Sequence, residues 1–459
     1  MPISRFIPPD PRPCPICDSI GPRTFLHRQR FYEGPLGDGY EVVVCNACGA
    51  GFADGIPSQA ELDRYYAEQS KYTYAHADGT ESPYDFKRFE LIADQLEPHL
   101  PSKSARILDI GCATGGLLAV LKRRGFANVI GSDPSPACVE AARRLHGIEV
   151  RTAALAQHQD WTDRFDAILL VGVLEHVREV RAAGRVAADL LKPDGLLYCA
   201  QPDVEAFAEC VNAPYQQFSM EHVNFFSRDS LARLMAAGGL VPRATWHWMV
   251  EWREGVTDSV LSGVYARGAD RPTVRPSDCS TVIPSSDSPL SPPSNFKLTD
   301  FSISDCQFVA NARNKISCRS PSSPPPNFKL SSFPPDSITK PALQRYLAAS
   351  QVADAAISQK IEALVVSRQP ILVWGAGALT RRLLASTRLA DANIAAFVDS
   401  SSHLQGTQLA GRIILAPAQL AGRPEGILIC SVTFEQEITR TIREQLNLPN
   451  RLITLSDNG

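Results

Sequence analysis

No stretch of the 459 residues is apolar for the roughly 18 positions that a membrane-spanning helix needs. The opening run, Met1 to Pro13, carries prolines and charges but no apolar h-region. No secretory signal is therefore expected, and a cytoplasmic location follows. An excess of one charge is missing too. There are 46 Lys and Arg residues against 49 Asp and Glu, a formal net charge of −3, so the chain has no polyanion-binding footprint and no nucleic-acid partner is expected. A disulfide framework is also absent. Of twelve cysteines, four form two close pairs near the N-terminus and eight are scattered, which in a reducing compartment suits a metal site plus buried thiols.

What is present reads as globular: 44% of residues are apolar and 21% charged. The length exceeds one ordinary core, so two or three domains are expected. Five segments are legible. Residues 1–60 hold the cysteine pairs as a zinc-binding module. Residues 61–100 form a helical connecting segment with Tyr65, Tyr66, Tyr72, Tyr74 and Tyr84. Residues 101–268 and 341–459 each alternate strand and helix signals, the mark of α/β domains. Between them, residues 269–340 are rich in Ser and Pro and carry a near-repeat. Pro292-Pro293-Ser294-Asn295-Phe296-Lys297-Leu298 is echoed by Pro324-Pro325-Pro326-Asn327-Phe328-Lys329-Leu330. Such a composition buries too little apolar surface to fold, so a disordered insertion is expected. A pair of linear binding motifs is the alternative.

The cysteine pairs are Cys14-Pro15-Ile16-Cys17 and Cys45-Asn46-Ala47-Cys48. Two residues between thiolates let both sulfurs of a knuckle face one ion, and two knuckles complete a tetrahedral shell that suits zinc. A hairpin through Arg28 to Val44 could fill the gap between them. With four cysteine ligands no position stays open for water, so the expected role is structural.

The run Ala105 to Ile110 reads as a buried strand that ends in Asp109-Ile110-Gly111-Cys112-Ala113-Thr114-Gly115, and a helix follows over Leu117 to Arg124. The Gly-x-Gly-x-x-Gly spacing of a dinucleotide loop is absent here. Further strands are expected over Asn128 to Gly131, Ile148 to Ala153, Phe165 to Val171 and Leu196 to Ala200. Asp133-Pro134 stands at the tip of the second, where an acid can accept ribose hydroxyls. Leu190 to Gly195 reads as a helix end and turn.

In this order the loop at Asp109 to Gly115, the acid Asp133, the pair Phe165-Asp166, the stretch Leu174-Glu175-His176-Val177 and the turn Lys192-Pro193-Asp194-Gly195 resemble the class I S-adenosylmethionine (SAM)-dependent methyltransferases. The resemblance implies a Rossmann-like fold with SAM as cofactor. It places Asp109, Gly111, Ala113 and Gly115 at the cofactor, with Gly111 and nearby backbone on the methionine part. Asp133 and Pro134 then lie at the ribose, and Ala153, Ala154 and Leu155 near the adenine.

After the fifth strand comes Phe218-Ser219-Met220-Glu221-His222-Val223. A histidine, with its unperturbed pKa near 6.5, suits proton abstraction at neutral pH, and a neighbouring carboxylate can hold its tautomer. A packing or capping histidine at a helix start is the plain alternative. In the C-terminal part, Trp374-Gly375-Ala376-Gly377 follows a strand, Asp399 ends the next, and the third glycine of a dinucleotide fingerprint is replaced by Thr380. NAD binding, a scaffold and a nucleotide-sugar-facing domain are the open readings of this second Rossmann-like unit.

Taken whole, the chain resembles the zinc-containing C-methyltransferases of nucleotide-linked keto-deoxysugars. That resemblance carries catalytic roles onto Glu221 and His222, with His176 as a further active-site histidine. It departs at Ser219, where those enzymes carry a tyrosine. The expected reaction is methylation of a small polar acceptor, a nucleotide sugar. O- or N-methylation of another metabolite and a non-catalytic scaffold are the alternatives.

Overall fold

The computed structural model describes residues 12–68, 81–253, 255–268 and 333–456. Strands β1 (Arg23–Arg30), β2 (Gly39–Cys45) and β3 (Gly51–Asp54) form an antiparallel meander. Its first hairpin fills the gap between the cysteine pairs. Helices α1 (Gln59–Glu68) and α2 (Pro83–Leu96) follow. The start of α2 is fixed locally by a capping box between Ser82 and Asp85, with proline in the first turn.

The central unit runs β4 (Ile107–Ile110), α3 (Gly116–Arg123), β5 (Val129–Asp133), α4 (Pro136–His146), β6 (Glu149–Thr152), β7 (Phe165–Val171), α5 (Val180–Asp189) and β8 (Leu191–Pro202). It continues with β9 (Asn224–Phe225), α6 (Arg228–Ala237), β10 (Leu240–Arg253) and β11 (Val256–Arg267). Seven of these strands form one sheet in the order β10-β11-β8-β7-β4-β5-β6. Strands β4 to β8 pair in parallel, and β11 and β10 are antiparallel additions.

Every residue of β4 is buried. Leu108 and Ile110 join one core with Leu170, Leu174 and Leu197, while Ile107 joins the other with Leu118, Leu121 and Leu169. Each such side chain contributes roughly 1.5–3 kcal/mol by leaving water. A strand covered on both faces is therefore apolar at every position but Asp109, which is why it reads so clearly. Chain order reverses between β4 and β7, which sets a ligand crevice at the carboxyl ends of these strands.

The structure corrects one local expectation. Lys192 to Gly195 is not a turn between a helix end and a strand but lies inside β8. The pairing of β7 with β8 jumps from Phe165↔Leu191 to Ala167↔Leu196, so the extra residues bulge out of a single strand.

The C-terminal unit starts with the long helix α7 (Thr339–Ser367). Then come β12 (Ile371–Trp374), α8 (Ala378–Ser386), β13 (Ile394–Val398), β14 (Gln408–Leu409), β15 (Arg412–Leu415), β16 (Gly426–Ile429), α9 (Glu435–Arg440) and β17 (Leu452–Thr454). The sheet order is β14-β15-β13-β12-β16-β17, parallel except for the β14–β15 pair. Helix α7 serves two cores. Leu343 and Tyr346 pack with Phe218 and Phe225, and Ile357 and Ile361 pack with Val373 and Phe397.

Two features cross the segment boundaries read from sequence. β9 hydrogen-bonds to β3 through Phe52↔Asn224, so the cysteine-bearing sheet takes its fourth strand from the central unit. The last part of the segment read as insertion is ordered. Asp336 is 5% exposed and accepts from the Ser227 hydroxyl at 2.7 Å and the Thr339 amide at 3.0 Å, while its amide donates to Cys48 O. The repeated Asn-Phe-Lys-Leu motif lies outside the described residues, as do Tyr72, Tyr74 and the first eleven residues.

Candidate active site and metal centre

The four cysteine sulfurs converge. Cys14 Sγ lies 3.5 Å from Cys48 Sγ, and Cys17 Sγ lies 3.7 Å from Cys45 Sγ. All four sulfurs are within 4.8 Å of one another. Each knuckle is closed by its own backbone: the Asp18 amide donates to Cys14 O, and the Gly49 amide to Cys45 O. Mutual thiol hydrogen bonding draws Cys45 and Cys17 down, the latter to about 7, and pushes Cys14 and Cys48 up. Four sulfurs at this spacing match the donor set of a tetrahedral zinc site.

The loop after β4 is held by the tip of β5. The Gly111 amide donates to Ser132 O at 2.7 Å, the Ala113 amide to Asp133 Oδ2 at 2.9 Å, and the Ser135 amide to Asp133 Oδ1 at 2.9 Å. Gly111 has φ +75°, and an added Cβ would lie 2.7 Å from Val173 Cγ2, so the position needs glycine on both counts. Ala113 is held at φ +47° without that excuse, a strained conformation of the kind found where a loop grips a ligand. The Ala153 amide donates to Asp133 O at 3.1 Å, which brings Ala153 and Ala154 to the same strand tip, and Pro134 follows Asp133 half-buried.

Asp109 is 3% exposed, and its Oδ1 has no hydrogen-bond partner among the described residues. Burial, with repulsion from Asp133, pushes its carboxyl up to about 8. Burial likewise raises Asp133 to about 6, against the two amides it accepts. A buried acidic pair with an orphaned oxygen fits a cationic ligand, and SAM carries both a sulfonium and an ammonium group.

A second polar cluster abuts this loop through Val173. Glu175 and His176 sit on a short 3₁₀ turn after β7 and are 3% and 8% exposed. Their partners come from the turn before β9. His176 Nδ1 is 3.0 Å from Glu221 O and 2.9 Å from the Tyr66 hydroxyl. The His176 and His222 rings are 5.1 Å apart, and Glu175, His176 and His222 each place a ligand-type atom within 4.8 Å of the others. The Tyr65 hydroxyl donates to Glu221 Oε1 at 2.8 Å.

The turn that presents Glu221 and His222 is built deliberately. Ser219 Oγ accepts both of their amides, at 3.3 and 3.1 Å. The Asn224 side-chain amide donates to Leu174 O and Val177 O, tying this turn to the one that carries Glu175. Buried Arg12 donates to Val223 O and Asn224 Oδ1 from the other side.

Asp109, Gly111, Ala113 and Gly115 thus lie on the end of β4 and the loop after it, Asp133, Pro134 and Ala154 stand at the strand tip that holds this loop, and His176, Glu221 and His222 gather in the cluster next to Val173. The carboxylate grouped with the two imidazoles is Glu175, which sequence reasoning passed over as part of a family stretch. Glu81 was also missed. It is 9% exposed and accepts from the Thr114 hydroxyl at 3.0 Å, at the mouth of the loop. No local signal marks it; Tyr65 and Tyr66 were visible as an aromatic pair but not as site residues.

A family model described as a methyltransferase domain matches residues 84–244, and one described as C2185-like, N-terminal, matches residues 367–454. Curated relatives include the ubiquinone biosynthesis O-methyltransferase of Cereibacter sphaeroides, 31% identical over 194 residues, which cover 39% of this chain and 78% of that protein. The protein of the same name from Xanthomonas oryzae pv. oryzae is 36% identical over 155 residues, 32% of this chain and 62% of its own length. Among solved structures, the magnesium protoporphyrin IX methyltransferase of Synechocystis with bound SAM is 16% identical over 46% of this chain and 97% of its own, with a TM-score of 0.33.

Proposed function

The chain belongs to the class I SAM-dependent methyltransferases, and we propose that its acceptor is a nucleotide-linked keto-deoxysugar methylated at carbon, with His222 as base. The observation that supports this most directly is the Glu175–His176–His222 cluster beside the cofactor loop. When bound, SAM supplies an electrophilic methyl that needs positioning more than activation. The residues of the chain provide the rest. Asp109 and Asp133 receive the cationic cofactor and its ribose. The Glu221 carbonyl, 3.0 Å from His176 Nδ1, favours the tautomer with a proton on that nitrogen, leaving Nε2 toward Glu175. The half-exposed His222 then takes the proton next to the acceptor's carbonyl. Tyr65 steadies Glu221, and Glu175 offers a negative charge to whichever imidazole becomes protonated. Cys14, Cys17, Cys45 and Cys48 would hold a zinc ion, which would fasten the N-terminal sheet.

A second reading, methylation of a hydroxyl, is favoured by the names of the relatives above. The same base would serve it without an adjacent carbonyl. Labelled SAM offered with a panel of keto-sugar nucleotides and of phenols, followed by mass spectrometry, separates the two. Label on a sugar carbon is expected; label only on a phenol oxygen overturns the proposal in favour of the second reading.

A further inference from the structure

Asp203, Glu205 and His247 take no part in the site described above, yet each places a ligand-type atom within 4.8 Å of the others. They come from separate elements. Asp203 directly follows β8, Glu205 lies on the short 3₁₀ turn Val204–Glu209, and His247 is on β10, two strands across the sheet. The backbone under them is fixed from both sides. The Asp203 amide donates to Ser259 O at 3.1 Å, the Ser259 hydroxyl donates back to Asp203 O at 3.0 Å, and the Val204 amide donates to Phe226 O at 3.1 Å. The side chains are tied as well. His247 Nδ1 lies 2.7 Å from Asp203 Oδ2, the Glu205 amide donates to Asp203 Oδ1 at 3.0 Å, and the Arg228 amide donates to Glu205 Oε1 at 3.0 Å.

Charge does not balance in this cluster. Asp203 is 1% exposed, and Glu205 and His247 are half-buried. Among the described residues, His247 is the one side chain that forms an ion pair with either carboxylate. The Arg228 guanidinium pairs with Asp229 at 3.8 Å, and Arg345 reaches the Glu205 carbonyl, not its carboxylate, at 3.4 Å. Even a protonated His247 therefore leaves one negative charge in surroundings partly withdrawn from water, where an unmatched charge is costly. Burial raises the Glu205 carboxyl, and repulsion from Asp203 adds to it. Burial alone would pull His247 down, but its bond to Asp203 lifts it. Glu205 Oε2 and His247 Nε2 have no hydrogen-bond partner among the described residues.

We infer that Asp203, Glu205 and His247 bind a divalent first-row transition-metal ion, through two carboxylate oxygens and one imidazole nitrogen. The donor set selects the class of ion: an imidazole is a poor partner for Mg²⁺ or Ca²⁺, and without a thiolate the site is not a soft one. Three protein ligands leave coordination positions open to water. The ion displaces the proton that His247 donates to Asp203, which leaves to solvent, and it pins β10 to the end of β8. The inference is independent of the acceptor chemistry proposed above and of the cysteine centre.

It is tested on the full chain, passed over a chelating resin and saturated with S-adenosylhomocysteine. Mn²⁺ is titrated in, and the free ion is followed by its electron paramagnetic resonance signal. Mn²⁺ prefers oxygen and nitrogen donors, so it leaves the four thiolates alone. One Mn²⁺ should bind per chain, and Zn²⁺ should displace it, as the order of affinities requires. Glu205→Gln keeps the side-chain volume and an acceptor for the Arg228 amide, so the fold should survive. It should weaken Mn²⁺ binding at least about tenfold, since even the outer partners of metal ligands are typically worth about 10–100-fold. His247→Leu, on an edge strand, should do the same. His222→Ala, which breaks the other carboxylate–imidazole cluster, should leave binding unchanged. A wild type that takes up no Mn²⁺, or binding that persists in both Glu205→Gln and His247→Leu, overturns the inference. Binding lost in His222→Ala alone places the ion at the Glu175 cluster and overturns it as well.

Discussion

The Ala113 amide donates to the Asp133 carboxylate at 2.9 Å, locking a loop to a strand tip twenty residues further on. Asp133 thus holds the loop, and under the proposed function it also receives the ribose. Asp133→Ala should therefore weaken SAM binding by about 1.5–3 kcal/mol, the usual loss for a hydrogen bond to a charged group, or tenfold and more in dissociation constant. Calorimetry checks this, and an unchanged affinity would remove Asp133 from the site.

Asp109 gives a proton-linked prediction. Its carboxyl is raised to about 8, so near pH 7 the free protein holds a proton there. A cationic ligand beside it favours the charged form, so SAM binding at pH 7 should release a proton. The binding heat measured in buffers of different ionisation enthalpy should vary accordingly, and Asp109→Asn should abolish the variation. The stability sign follows from the same shift. A carboxyl whose folded pKa lies above its unfolded value contributes stability below about pH 4, lost as pH rises through about 8. Asp109→Asn should therefore raise the melting temperature of the SAM-free protein at pH 8.5 more than at pH 4.5. Equal effects at both would show that the shift is absent.

The cysteine centre predicts about one zinc per chain by elemental analysis. Cys45→Ser should lose it. Because β3 carries β9, and β9 follows the turn of Glu221 and His222, metal loss should lower methyl transfer as well as the melting temperature. A metal-free preparation with full activity and unchanged melting would sink the assignment.

Much of this was legible because it is local. β4 and β7 are short, mostly apolar and largely buried runs, interrupted by Asp109 and Asp166, and each is followed by a glycine, Gly111 and Gly172. The two cysteine knuckles announce themselves by spacing. The acceptor side is different. Tyr65 meets Glu221 across 156 positions, and Glu81 meets Thr114 across 33, pairings that leave no periodic trace in either segment. The two-residue β9 is too short to stand out, since what makes it a strand is the edge of β3. Lys192 to Gly195 misled because proline and glycine signal turns equally well inside a bulge.

The last prediction concerns proton removal. If His222 is a carbon base, its step can run without methyl transfer. In heavy water, with a keto-sugar nucleotide and S-adenosylhomocysteine in place of SAM, the wild type should exchange the proton next to the carbonyl for deuterium. His222→Ala should lose exchange and turnover by about 10²–10⁴-fold, the usual effect of a general base, while binding SAM normally. Tyr65→Phe removes a hydroxyl that donates to Glu221 Oε1, so it should lower turnover less and leave cofactor affinity alone. His176→Ala is the decisive control. Its ring is 5.1 Å from that of His222 and is fixed by the Glu221 carbonyl, so it is placed to orient rather than to take the proton, and exchange should be reduced but not lost. Exchange that survives in His222→Ala and vanishes in His176→Ala would reverse the two roles.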